Sequence, residues 1–187
     1  MLNSLQIANF RLLEHFTVPK LGRVNLIVGK NNSGKSSVLE ALRIYAGSAQ
    51  RKLLQQIALA HNEQGLVANP GEATDQARPF EAFFTGRNFG REQPKTITIG
   101  PDIANQNTLS IAHGSLISEQ LEIDTDEGKL SQTRIRFTHN SDGYDGTATP
   151  CLRVSKGKNI LYDIRLDSAD APLKPSVWAH REALLPC

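Results

Sequence analysis

The stretch "VNLIVGKNNSGKSSVLEALRIYAG", Val24 to Gly47, sets a glycine-rich turn between an apolar run and a segment of helical periodicity. Before the turn, "RVNLIVG" is short and nearly continuous in apolar residues, which predicts a strand covered on both faces. After it, Val38, Leu39, Leu42 and Tyr45 or Ala46 recur at three and four, which predicts one apolar stripe on a helix ending at Gly47. The turn itself, "GKNNSGKS" from Gly29 to Ser36, satisfies the phosphate-binding pattern G-x-x-x-x-G-K-[ST] in the strand-turn-helix context that gives the pattern meaning. Its glycines let backbone N–H groups converge on a polyphosphate, and a helix opening near Gly34 adds the positive end of its dipole. The candidate cradle is Gly29, Asn31, Asn32, Ser33, Gly34, Lys35, Ser36 and Ser37. In it Lys35 reaches the β- and γ-phosphates of ATP, Ser37 stands on the α-phosphate side, and the Ser36 hydroxyl is placed for Mg²⁺, a hard cation that prefers oxygen.

Outward from this stretch, "SLQIANF" alternates at period two and reads as a strand, and "LEHFTVPKLG" reads as a second strand or turn before Gly22. Downstream, "AQRKLLQQIALAH" carries a helical stripe of Leu53, Leu54, Ile57, Ala58 and His61, and "GLVANPGEATDQARP" is a loop by its turn formers. Beyond "FEAFFTG" the period changes to two. The segments "KTITIG", "NTLSIAHGSLI", "SEQLEID", "QTRIRFTH", "PCLRVS" and "NILYDIRLD", with turn clusters such as "TDEGK", "NSDGYDG" and "SKGK" between them, predict an antiparallel meander. No internal repeat or low-complexity tract interrupts the pattern.

At 187 residues the chain suits one domain, with the 39% hydrophobic and 21% charged residues of a globular protein and a thin 6% of aromatics. A net charge of +2 with scattered basic residues gives composition no argument for nucleic acid or an acidic membrane surface. Cys151 and Cys187 form neither a disulfide framework nor a metal pair, which fits a reducing, intracellular setting. The opening "MLNSLQIANFRLLEHF" is broken by polar residues and is not a secretory signal, and no apolar run approaches the roughly 20 residues of a membrane span, so a cytoplasmic location is expected.

Taken together, "LQIANFRLLEHFTVPKLGRVNLIVGKNNSGKSSVLEAL" resembles the start of the RecF, SMC, Rad50 and OLD-type ATPases, which are ABC-class P-loop proteins. The carriers are the "NFR" of Asn9, Phe10 and Arg11, then Asn25, Gly29, Asn31 and Ser33 to Ser36; "NNSGKSS" with "LEAL" is most similar to the OLD-type subgroup. The resemblance covers the first 47 residues, with "FEAFFTGR" (Phe80 to Arg87) suggesting a further similar segment. It implies an α/β P-loop NTPase lobe of mixed α+β type, with an antiparallel meander packed on the P-loop sheet and helix. It also implies a place for Asn9 and Arg11 beside the nucleotide, ATP sandwiched between two heads of a homodimer or a partner ATPase half, DNA as target, a nuclease domain or subunit in the OLD-type branch, and defence against phage.

Such an ATPase also needs an acidic residue after a buried strand, a Glu to activate water and a signature loop. "NILYD" ends in Asp163, but its alternation is that of a half-exposed strand; "VSKGK" resembles a signature loop, yet a strand follows at once, as after a hairpin turn. "DTDEG" and "DGYDG" lack calcium-loop spacing, the five histidines lack zinc spacing, and Gln93, Gln106 and Gln120 are equivalent candidates for a γ-phosphate-sensing Gln. The chain is therefore expected to be a single N-terminal ATPase lobe over 1–187, with a P-loop part at 1–90 and a β-rich part at 91–187, incomplete relative to a full head. The alternative is a nucleotide-sensing interaction module that docks a partner on the surface from Lys95 to Asp167; a small P-loop kinase would need a basic lid, and the arginines are not clustered to form one.

Overall fold

The structure is a computed structural model that describes residues 2–61, 78–90, 93–101, 107–125, 128–139 and 148–166. Its strands are β1 (Leu5–Phe10), β2 (Leu13–Val18), β3 (Thr96–Gly100), β4 (Leu109–Thr125), β5 (Gly128–Thr138), β6 (Ala148–Lys156) and β7 (Asn159–Arg165); its helices are α1 (Lys35–Ala46), α2 (Arg51–Ala60) and the single turn α3 (Arg78–Glu81). All seven strands join one antiparallel sheet in the order β2-β1-β3-β4-β6-β7, with β5 also on β4. The expected meander is present, with one difference: "NTLSIAHGSLI" and "SEQLEID" are one strand of 17 residues rather than two. No turn former separates Ile117 from Ser118, and pairing passes without a break from β6 on one edge to β5 on the other.

β4 is branched. Its Leu109–Ala112 pairs with β3 and its Ser115–Thr125 with β5, while β6 runs along the opposite edge from Leu109 to Ile117. β3 and β5 therefore share an edge, leaving His113 and Gly114 at the break. The Phe89 ring stacks on His113 there, with centroids 3.9 Å apart and planes within 3°, and His139 Nδ1 lies 3.1 Å from the His113 carbonyl oxygen. Burial, together with the charge of His139, lowers the His113 pKa from 6.5 to about 4. The unfolded chain thus binds a proton between pH 6.5 and 4 that the folded chain refuses, so stability falls as pH drops through that window. Thermal melts from pH 7 to 4 should show this decline, and it should flatten in His113→Phe, which keeps a ring for Phe89 to stack on.

One face of the sheet and the helices enclose the core, built from Leu5, Ile7 and Phe10 of β1, Ile97 and Ile99 of β3, Ile44 of α1, Leu54 and Ile57 of α2, and the Phe80–Phe89 segment. Phe10 stacks on Phe83 at 6.2 Å, and Phe84 meets Phe89 edge to face at 5.0 Å, in the offset geometries that ring quadrupoles favour. Phe84 also bridges Phe10 through the backbone, which ties the segment after α3 to β1. On β6 and β7, Arg153 donates from Nε and Nη2 to both oxygens of Asp163 at 2.8 Å, so Asp163 occupies a cross-strand ion pair on a half-exposed strand. "SKGK" is the β6–β7 hairpin turn, as its composition implies.

Two expectations need correction. The helix after the glycine-rich turn forms and stops at Gly47, whose N–H bonds Arg43 O; of its expected stripe Val38 is buried and Leu42 and Tyr45 pack partly buried against the core, but Leu39 is exposed, and Ser37, Glu40, Ala41 and Ile44 are buried with Val38. The helix packs between the sheet and α2, and that two-sided contact rotates the stripe by about one residue from the purely apolar one. More consequentially, "RVNLIVG" forms no strand and is not covered: Val24, Leu26 and Val28 are 91%, 85% and 75% exposed. A strand exists only by its neighbours' hydrogen bonds, and among the described residues none runs beside this segment. The "NSDGYDG" turn, Gln106, Cys187 and nearly all of the "GLVANPGEATDQARP" loop lie outside the described residues.

Candidate phosphate-binding site

The loop between Val28 and α1 closes on itself. Gly34 stands at the N-cap of α1 with φ 87°, a left-handed conformation that glycine adopts without steric cost, and a Cβ there would lie 3.1 Å from Leu13 Cδ2. Gly34 O then accepts the first helical bond from Val38 N at 3.1 Å. The N–H groups of Lys35, Ser36 and Ser37 belong to the first turn, where a helix has no partners of its own to give them. No side chain caps this end and no acidic residue stands in its first turn, so the positive end of the dipole is left for an anion. At the other end Arg43 complements the negative pole.

Opposite the helix, a Cβ on Gly29 would fall 2.7 Å from Ser33 Oγ, so any larger residue there would have to turn the Ser33 hydroxyl aside. Lys35 folds back across it, donating from Nζ to Gly29 O at 2.9 Å and Lys30 O at 2.5 Å. That places an ammonium over a ring of exposed residues, Asn31, Asn32 and Ser33, with Asn32 itself left-handed at φ 61°. Backbone donors, a cation and the Ser36 hydroxyl thus share one small loop, a donor set suited to a polyphosphate and the hard metal that accompanies it.

Asn9, next to last in β1, and Arg11, on the β1–β2 turn, are both left-handed, at φ 57° and 52°. The Asn9 amide donates from Nδ2 to Thr96 O at 2.9 Å, and Thr85 N bonds Asn9 O at 3.1 Å, so Asn9 serves to join β1 to β3 and to the Phe84 turn. Arg11 is held on every side: its N–H bonds Phe83 O at 2.8 Å, its guanidinium lies 5.1 Å from the Phe83 ring centroid, and Nε is 2.7 Å from Glu40 Oε2. This last contact is charge against charge rather than an aligned hydrogen bond. Glu40 takes a second partner from α2, His61, through Nε2 and Oε1. Sequence reasoning misses this cluster, although a Glu set among the buried positions of an amphipathic helix is the available signal.

Among the described residues no group of His, Cys, Asp or Glu side chains is arranged to hold a metal ion, and no helix is long and apolar enough to cross a membrane. Of the Gln candidates, Gln93 and Gln120 fall among the described residues and Gln106 does not.

Comparison with known proteins agrees with the loop. An ATP/GTP phosphatase of Helicobacter pylori is 24% identical over 183 residues, which is 95% of this chain and 42% of that protein. The DNA replication and repair protein RecF of Pseudoalteromonas atlantica is 40% identical over 63 residues, 34% of this chain and 17% of RecF. A Methanocaldococcus jannaschii protein is 38% identical over 64 residues, 32% of this chain and 29% of its own length. The chain spans less than half the length of each of these relatives, and no solved structure matches it. The AAA ATPase domain profile matches residues 1–151, the loop, both long helices and the strands β1 to β5 included, and the chain belongs to that family of P-loop ATPases.

Proposed function

We propose that this chain is the phosphate-binding lobe of an ATPase head of the RecF and OLD type, binding Mg·ATP through Gly29 to Ser37. The observation that carries the reading is the loop itself, with Gly34 left-handed at the opening of α1, Gly29 close against Ser33, Lys35 across the mouth and the first turn of α1 free of acidic side chains. Lys35 holds the β- and γ-phosphates, and Ser37 and the amides of Gly34 to Ser36 hold the α- and β-phosphates. The Ser36 hydroxyl would hold Mg²⁺, which would supply neutralisation of the phosphate charge.

The exposed apolar segment Val24–Val28 supports a second part of the reading. A run of this composition beside a phosphate loop suits the interior of a sheet, so we assign its missing neighbours to the rest of the head, as a further part of the protein or as a partner half. Among the described residues the lobe supplies the cradle and no acidic residue placed to activate water, so hydrolysis requires the complete head, and pairing of two heads around ATP, as a homodimer, follows the same logic. The RecF relative and the resemblance to OLD-type proteins support work on DNA in a cytoplasmic setting, a nuclease partner and a role in phage defence.

Turnover of ATP by the 187-residue chain tests this division of labour. The expected result is binding without steady phosphate release; sustained hydrolysis that disappears in Lys35→Ala would place the whole reaction in this lobe and overturn the half-site. The alternative of a nucleotide-sensing interaction module draws on the β4–β5 ribbon, which carries exposed Leu121 and Ile135 beyond the end of β6 pairing. Partner capture that ignores nucleotide would favour it.

A further inference from the structure

Glu40 is the one charged side chain among the buried polar residues of the described part, at 9% exposure. A carboxylate in that position is costly unless compensated, and two other elements meet α1 to compensate it. Arg11 comes from the β1–β2 turn and His61 from the end of α2, each on a different oxygen of a Glu that stands five residues beyond Lys35 on α1. Arg11 cannot drift, since its backbone is bonded to Phe83 O and its guanidinium lies over two rings, Phe83 at 5.1 Å and Phe10 at 5.9 Å. Directly after this turn Leu13, the first residue of β2, lies against Gly34 at the opening of the helix. The hairpin therefore touches α1 at two points, Gly34 and Glu40, on either side of the first turn whose amides face the loop.

We propose that Glu40 is a positioning residue for the phosphate loop: by holding Arg11 and His61 on one carboxylate, it fixes the first turns of α1 in the orientation that aims their amides at a phosphate. The inference rests on the reading of Gly29 to Ser37 as a nucleotide site and adds how that site is kept in shape. A helix N-terminus binds an anion only as well as its amides converge, and side chains behind it decide the convergence. Neither Arg11 nor Glu40 need touch the ligand for this.

Calorimetric titration of Mg·ATP into the 187-residue chain, alongside Glu40→Gln and His61→Ala, tests it, with the Gly34 amide resonance followed in ¹⁵N-labelled samples. Glu40→Gln keeps the shape and removes the charge; it should bind at least tenfold more weakly, and its Gly34 amide should move less on saturation. His61 is 40% exposed at its side chain, so His61→Ala should remain folded and bind about threefold more weakly. Phe84→Ala, measured well below its melting temperature, controls for lost stability alone and should keep wild-type affinity. Wild-type affinity and an unchanged Gly34 signal in both Glu40→Gln and His61→Ala would overturn the proposal. Should Glu40→Gln fail to fold, His61→Ala decides by itself, a threefold loss supporting the proposal and unchanged binding overturning it. Failure of the wild type to bind, or equal binding by Lys35→Ala, is a different result: it removes the nucleotide site and the positioning role with it.

Discussion

Lys35→Ala should reduce the affinity of this chain for Mg·ATP by two to three orders of magnitude. The Lys35 ammonium now rests on two carbonyl oxygens at the mouth of the loop, Gly29 O and Lys30 O, and a phosphate offers the same donors an anionic acceptor. Removing one partner of such a charge-assisted contact typically costs about 2–5 kcal/mol, and each ~1.4 kcal/mol is tenfold in the dissociation constant. The truncation also opens the loop, because the two bonds that fold it shut go with the side chain. Calorimetry of the variant against the wild type reads the effect directly. An affinity within threefold of the wild type would mean that the loop does not take phosphate through Lys35.

The largest loss of stability is expected at Phe84. Its ring is fully buried, packs edge to face on Phe89, and rides on a segment tied to β1 through the Phe10–Phe84 bridge. Deleting it leaves a cavity in the core beside Phe89, and Phe→Ala changes of this kind cost about 3–5 kcal/mol. For a chain of this size that is a melting-point drop of roughly 6–20 °C. Leu39→Ala, on the exposed side of α1, is the natural contrast and should stay within about 0.5 kcal/mol of the wild type. Urea unfolding of the two variants side by side distinguishes a core that runs through Phe84 from one centred on the helices.

Much of this arrangement is written locally in the chain. The phosphate loop is legible in the sequence because each of its requirements spans a few residues: Gly34 takes a positive φ, Gly29 lies close against Ser33, and α1 needs a helical stripe behind it. The hairpins are legible for the same reason, since alternation and turn formers act over short distances. The Glu40 cluster is not legible, because Arg11, Glu40 and His61 are 29 and 21 residues apart along the chain and nothing in spacing joins a hairpin turn to the middle of one helix and the end of another. Leu39 falls in the expected stripe for a related reason: hydrophobicity alone cannot anticipate that a buried carboxylate will take a core position. The segment Val24–Val28 misleads in the opposite sense, for its composition suits a covered strand while the described residues leave it uncovered. Composition reports the surroundings a segment is suited to, and those surroundings can lie outside the described residues.

The branched sheet has a consequence for how the chain acquires its shape. The pairings β4–β5 and β6–β7 close across short turns, whereas β1 reaches β3 only through partners such as Gln6 and Gly100, with both long helices and the Phe80–Phe89 segment strung between them. Closing a loop costs about 0.6 kcal/mol more for each doubling of its length, and chain closures of high sequence separation are slow. The ribbon from β4 to β7 can therefore condense early as a template, and β1 must wait for it. Because Leu13 and Arg11 of the β1–β2 hairpin meet Gly34 and Glu40, we expect the phosphate cradle to be completed only after β1 has joined β3, so that distant strands help to shape a site written near the start of the chain.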